Sequence, residues 1–74
     1  MNYTDRIRIL REDADMTQAE VGKYLNISQR SYAHFEAGTR NIPIETLILL
    51  ADLYKVNLDY LVERTDKKDM LPRK

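Results

Sequence analysis

The sequence predicts an all-α domain, a compact bundle of five short helices, and three observations carry that expectation. Residues suited to cap a helix, Asn2, Thr17, Ser28 and Asn57, each precede a run of apolar residues at helical spacing, and Pro43 opens a further run. Asn26 and Gly38, which tolerate left-handed backbone, stand where two of those runs must stop. Between them the stretch from Thr17 to Gly38 reads as two short helices held at a fixed angle, the second with one face free to touch something else.

Asn2 and Asp5 have the spacing of a cap and its acidic partner, which predicts helix 1 from about Tyr3 to Ala14 with Ile7, Leu10 and Ala14 as its inner stripe. Exposed charges are worth little, so the plain expectation for Arg6, Arg8 and Arg11 is solvated surface. Arg11 differs, because it follows Leu10 on the side nearer the core. Asp15 and Met16 close the first loop, with Met16 as a flexible gap-filler under helix 2.

Thr17 and Glu20 form a capping box, so helix 2 starts at Gln18. Val21 and Leu25 share a face at i, i+4. Gly22 between them costs up to about 1 kcal/mol relative to alanine in a helix interior, which implies close packing at that point. Asn26 turns the chain out and Ile27 plugs the turn.

Ser28 caps helix 3, expected over residues 29 to 37 and closed by Gly38. A step of about 100° per residue puts Ser31, Tyr32, Phe35 and Glu36 on one side and Gln29, Arg30, Ala33, His34 and Ala37 on the other. The side with two large aromatics must face inward. The other carries an amide, a guanidinium and an imidazole with small residues between them.

Pro43 suits a first helical turn. Helix 4 then runs to about Tyr54 with Ile44, Leu47, Ile48, Ala51 and Tyr54 in one stripe and Leu49, Leu50 and Leu53 in the next. A monomer's surface helix needs one stripe, so the surplus is either wrapped by helix 5 or offered to a second subunit. Asn57 caps helix 5, expected from Leu58 to about Glu63, with Leu61 and Val62 facing the core and Leu58 and Tyr60 off it. A homodimer interface is therefore expected over Leu49, Leu53, Leu58 and Tyr60. Residues 1–63 form the domain, and 64–74 a charged, flexible tail without periodicity.

The apolar set Val21, Leu25, Ile27, Tyr32 and Phe35, the small Gly22, the turn at Asn26 and the flanking MTQ and FEAGTRNIP segments together resemble the Cro/CI-type helix-turn-helix family of bacterial and phage repressors. The resemblance covers about residues 5 to 62. It departs from the family at Asn26, where a glycine is usual, and at Tyr32, where a smaller aliphatic is usual. It implies a lambda-repressor-like fold, an Arg11–Glu36 ion pair across helices 1 and 3, and a phosphate-binding role for Gln18, Arg40 and Asn41.

Twelve Lys and Arg balance twelve Asp and Glu, which counts against a strongly basic nucleic-acid binder. Distribution matters more than the sum. Acidic residues gather at Glu12, Asp13 and Asp15 and again at Asp52, Asp59 and Glu63, whereas Lys23, Arg30 and Arg40 lie near helix 3. The absence of cysteine removes disulfides and thiolate zinc sites, and no apolar run approaches a membrane span. A soluble, cytoplasmic protein is expected. A single His, no Cys and no Gly-rich phosphate loop argue against an enzyme, a metal or a cofactor.

The expected function is sequence-specific recognition of double-stranded DNA by a transcriptional regulator, a repressor, with helix 3 in the major groove. Gln29, Arg30, Ala33 and His34 are the candidate base readers, His34 as a donor to guanine. Gln18, Lys23, Ser31, Arg40 and Asn41 are the candidate phosphate contacts, and a dimer would require a pseudo-palindromic operator. The alternative is a protein-interaction module, of antitoxin or antirepressor type, that uses the apolar surface of helices 4 and 5.

Overall fold

The computed structural model describes residues 3–64, 66 and 67. Its elements are α1 (Tyr3–Asp13), α2 (Gln18–Tyr24), α3 (Gln29–Ala37), α4 (Ile44–Tyr54) and α5 (Leu58–Leu61), with no strand among the described residues.

Local chemistry sets the central pair. Thr17 Oγ1 accepts from the Glu20 N–H at 3.1 Å while the Thr17 N–H donates to Glu20 Oε1 at 2.9 Å, a complete capping box. Leu25 caps the far end, Asn26 turns through φ 60°, and the Ile27 N–H returns to the Gly22 carbonyl at 2.9 Å. Ser28 Oγ accepts from the Ser31 N–H at 3.1 Å to start α3, which Gly38 ends at φ 77°. Gly22 is the point of closest approach. A Cβ there would lie 3.1 Å from the Ile27 carbonyl oxygen and 3.3 Å from that of Ser28, both backbone atoms of the turn. Gly22→Val should therefore destabilise the domain by about 2 kcal/mol, in the range of overpacked sites. A urea midpoint matching the parent's would show that the turn can yield.

The core is Ile7, Val21, Leu25, Tyr32, Phe35, Ile42, Leu50, Ala51, Val56 and Leu61. Helix α3 packs against both α2 and α1 and sends Tyr32 and Phe35 inward, while α5 folds back on α4 and α1. Met16 and Ile27 pack partly buried at the margin.

Several expectations are corrected. Helix α1 ends at Asp13 and Ala14 is exposed, because the chain turns away through Asp15 at φ 56°. Pro43 stands just outside α4 with extended backbone, φ −59° and ψ 150°, and contributes its carbonyl to the Leu47 N–H at 3.1 Å. Helix α4 is rotated from the expected phase. Leu50 and Ala51 are buried and Leu47, Leu53 and Tyr54 partly so, which leaves Ile44 and Ile48 54% and 47% exposed and Leu49 42% exposed. The exposed arc is the one that carries Glu45 and Asp52, with Ile44, Ile48 and Leu49 on its flanks, so the two charged residues and not the apolar stripes mark the outward side. Helix α5 stops at Leu61, and Glu63 turns through φ 65°. Leu58 and Tyr60, expected off the core, pack partly buried against it.

Arg6 is not solvated surface. Its guanidinium lies 4.2 Å from the centre of the Tyr60 ring, donates to the Tyr60 carbonyl at 3.0 Å and approaches Glu63 at 3.8 Å, tying α1 to α5. Arg8 makes only an exposed pair with Asp5 at 3.7 Å. At the start of the expected tail, the Arg64 N–H donates to the Asp59 carbonyl at 2.7 Å and Asn57 Nδ2 donates to the Lys67 carbonyl at 2.7 Å. Asn2 and the rest of the expected tail lie outside the described residues.

Candidate nucleic-acid interface

Because Tyr32 and Phe35 fill the core, the opposite arc of α3 faces out. Gln29 and Arg30 are exposed in its first turn, Ala33 and His34 follow half-buried, and Ala37 is exposed. Gln29 and Arg30 thus stand clear of the domain. His34 is held: its Nδ1 lies 2.9 Å from Thr39 Oγ1, and that hydroxyl lies 3.3 Å from the His34 carbonyl oxygen.

Beneath this arc lies a polar centre on Glu36. Arg11 grips the carboxylate with both arms of its fork, Nε to Oε2 at 2.6 Å and Nη2 to Oε1 at 3.2 Å, and Nη1 donates to the Met16 carbonyl at 2.9 Å. Gln18 Nε2 donates to Glu36 Oε1 at 3.2 Å. Glu36 is therefore bound from α1 and from the first residue of α2. Its side chain is only 4% exposed and that of Arg11 13%. Burial alone would raise the Glu36 pKa, but the hydrogen bonds from Arg11 and Gln18, with the Tyr32 hydroxyl close by, hold it below the ordinary value. The same bond raises that of Arg11. Burial first, and then the neighbouring Glu36 carboxylate, push the Tyr32 phenol far up, so it stays protonated at any working pH. Tyr32 has no exit to water: its hydroxyl and that of Tyr54 are buried without a partner in good hydrogen-bond geometry.

An amide nitrogen has two N–H groups. The bond to Glu36 uses one of those of Gln18, which stands partly exposed as the first residue of α2. Lys23 is exposed on the same helix. Arg40 and Asn41 are exposed in the loop after α3, and Arg40 Nη1 comes 3.4 Å from Ser31 Oγ, which also accepts from Ser28 Oγ at 3.1 Å. The loop guanidinium is thereby drawn back to the first turn of α3. The structure thus gathers Gln29, Arg30, Ser31 and Arg40 about the start of α3, with Ala33 and His34 farther along its outward arc.

The four residues expected at a dimer interface are not equivalent. Leu49 is open surface, whereas Leu53, Leu58 and Tyr60 are partly committed to the core. The sequence reading missed Thr39, whose only signal is its place just after the left-handed Gly38, where a hydroxyl can reach back to the last turn. It also missed the bond from Gln18 to Glu36.

The helix-turn-helix family matches residues 7–61. The chain is 34% identical over 67 residues to the uncharacterized HTH-type transcriptional regulator YobD of Bacillus subtilis (strain 168), a match covering 90% of this chain and 60% of that protein. It is 31% identical over 64 residues to the cryptic phage CTXphi transcriptional repressor RstR of Vibrio cholerae, covering 86% and 58% respectively. The chain spans about three fifths of the length of these two relatives. Among solved structures it superposes on the P22 c2 repressor in complex with a synthetic operator, with a TM-score of 0.79, 25% sequence identity, and 88% of this chain and 98% of that chain covered. The capped helix pair, the inward aromatics and these matches lead to one conclusion: the chain belongs to the Cro/CI-type helix-turn-helix family.

Proposed function

We propose that the chain is a sequence-specific DNA-binding transcriptional regulator, acting as a repressor, with α3 inserted in the major groove. The observation that carries this reading is the outward arc of α3, where Gln29 and Arg30 project freely from a helix locked from behind through Glu36. Gln29 offers the bidentate amide that fits adenine N6 and N7, Arg30 the fork that fits guanine O6 and N7, and Ala33 a methyl surface for thymine. Gln18, Lys23, Ser31, Arg40 and Asn41 position the domain on phosphates. The repressors among its relatives support the direction of regulation. No described helix is long and apolar enough to cross a membrane, and the proposed place of action is the cytoplasm.

Selection of bound duplexes from a random pool tests this. Gln29→Ala and Arg30→Ala should each relax preference at one base pair, at a cost of about 1–3 kcal/mol, whereas Gln18→Ala should weaken all sequences alike. If neither Gln29→Ala nor Arg30→Ala changed the selected sequence, α3 would not be the reader.

Four outward side chains read few base pairs and the chain has no net charge, so tight binding calls for a second copy and its avidity. We place that homodimer on the exposed arc of α4 that carries Ile44, Ile48 and Leu49 with Glu45 and Asp52 between them, extending towards Leu53, Leu58 and Tyr60. A pseudo-palindromic operator follows. Ile48→Lys should give a monomer by sedimentation with an unchanged fold, and persistence of the dimer would move the interface elsewhere. The same open face favours the second reading, a protein-interaction module, which predicts a different response to salt.

A further inference from the structure

We propose that Glu45 and Asp52 choose the partner of the exposed arc of α4: they set identical copies against each other, so that the free chain pairs weakly and the homodimer completes itself on the operator. The inference deepens the proposed function and rests on its placement of the homodimer on this arc.

The arrangement of side chains along the arc carries it. Glu45 and Asp52 stand about two helical turns apart, which puts them within about 20° of one line along α4 and roughly 10 Å from each other along its axis. Midway between them Ile48 projects to one side of that line and Leu49 to the other, with Ile44 farther round beyond Ile48. All five are exposed. Neither carboxylate forms an ion pair among the described residues. The surrounding charges do not answer them. Lys55 stands past the end of α4 in left-handed backbone and makes no ion pair with Asp52. On α5, which packs against α4, the exposed Asp59 carboxylate lies 3.8 Å from Arg64, and before α4 the Arg40 guanidinium is drawn towards Ser31. The middle of the arc is therefore acidic and holds no cation of its own.

A homodimer with two-fold symmetry applies one patch to itself. With the axis passing by Ile48 and Leu49, antiparallel α4 helices set Glu45 of each copy against Asp52 of the other, and parallel helices set each carboxylate against its own equivalent. Four carboxylates meet in either case. Like charges brought together across an interface oppose binding and reject the partner that carries them. Overall repulsion is not the cause, since the chain has no net charge. Apolar contact at Ile48 and Leu49 thus favours pairing while the carboxylates beside it hold pairing back. Two adjacent half-sites supply the local concentration that the free chain then needs.

Sedimentation equilibrium of the full chain without DNA tests the proposal. Glu45→Gln combined with Asp52→Asn should tighten self-association by about tenfold or more. That change leaves the chain positive, so a gain cannot come from overall charge. Adding Ile48→Lys to the double variant should abolish the gain. Asp52→Lys alone should tighten self-association if the helices run antiparallel, and should tighten pairing with the parent in an equal mixture if they run parallel. An unchanged dissociation constant in the double variant, or no tightening of either kind by Asp52→Lys, overturns the inference while the placement of the dimer stands, provided that Ile48→Lys still breaks it. A double variant that stays monomeric at every concentration, or a dimer that survives Ile48→Lys, overturns the inference and the placement together. Pool selection judges the DNA reading apart from both.

Discussion

Replacing Glu36 with alanine should lower the unfolding free energy by about 3–5 kcal/mol, the usual cost of breaking a buried ion pair from one side. The variant leaves the Arg11 guanidinium with only the Met16 carbonyl and removes the acceptor of Gln18. It also removes the carboxylate nearest the buried Tyr32 and Tyr54 hydroxyls, neither of which has another partner in good geometry. In a domain of this size 1 kcal/mol moves the thermal midpoint by roughly 4–8 °C, so the melting transition should fall by about 12 °C or more, or vanish. Thermal and urea unfolding followed by circular dichroism would measure it, and a loss under about 1 kcal/mol would mean that the pair holds nothing together. Its pH dependence has a defined sign. The folded pKa of Glu36 lies below its ordinary value of 4.5, so the unfolded chain takes up the proton more readily. The pair's contribution is therefore complete above the unfolded value and is lost as pH falls through the lower, folded one. Arg11→Ala should remove most of that acid sensitivity.

On the proposed function, operator affinity should fall by about a hundredfold between 50 and 200 mM salt. Lys23 and Arg40 on each of two copies would meet about four phosphates, and releasing the condensed counterions gives a logarithmic slope near −3.5. A chain with no net charge can show this slope because only cations at the contact count. Titrations at several salt concentrations would read it directly, and Lys23→Ala in both copies should make the slope shallower by about two. A nearly flat dependence would sink the DNA reading and favour a protein partner on the face of Ile44, Ile48 and Leu49.

The two central helices were legible because their ends are written in local chemistry. Thr17 with Glu20, Asn26, Ser28 and Gly38 act within a few residues of themselves, and their bonds form as the spacing implies. The outward arc of α3 was legible for a related reason, since two bulky aromatics on one side leave the other no choice. What escaped depends on distant partners. Arg6 finds Tyr60 across 54 residues of chain, and nothing near Arg6 announces it. The orientation of α4 escaped because its stripes were drawn through the apolar residues alone, whereas the outward side is the one that carries Glu45 and Asp52. At the site, residue types pointed to DNA, but the partner that orients His34 lies beyond a helix cap and became visible only once the backbone was folded.

Lys55 and Glu63 turn the chain through left-handed backbone, at φ 56° and 65°, where neither side chain is at ease. Such residues cost about 1–2 kcal/mol each relative to the right-handed form, so the sequence leaves the domain less stable than its own backbone would allow. A narrow folding margin has a genetic consequence. Substitutions far from α3, including conservative ones in the core, should deplete the folded protein in cells and, on the proposed function, give the same phenotype as lesions on the outward arc of α3.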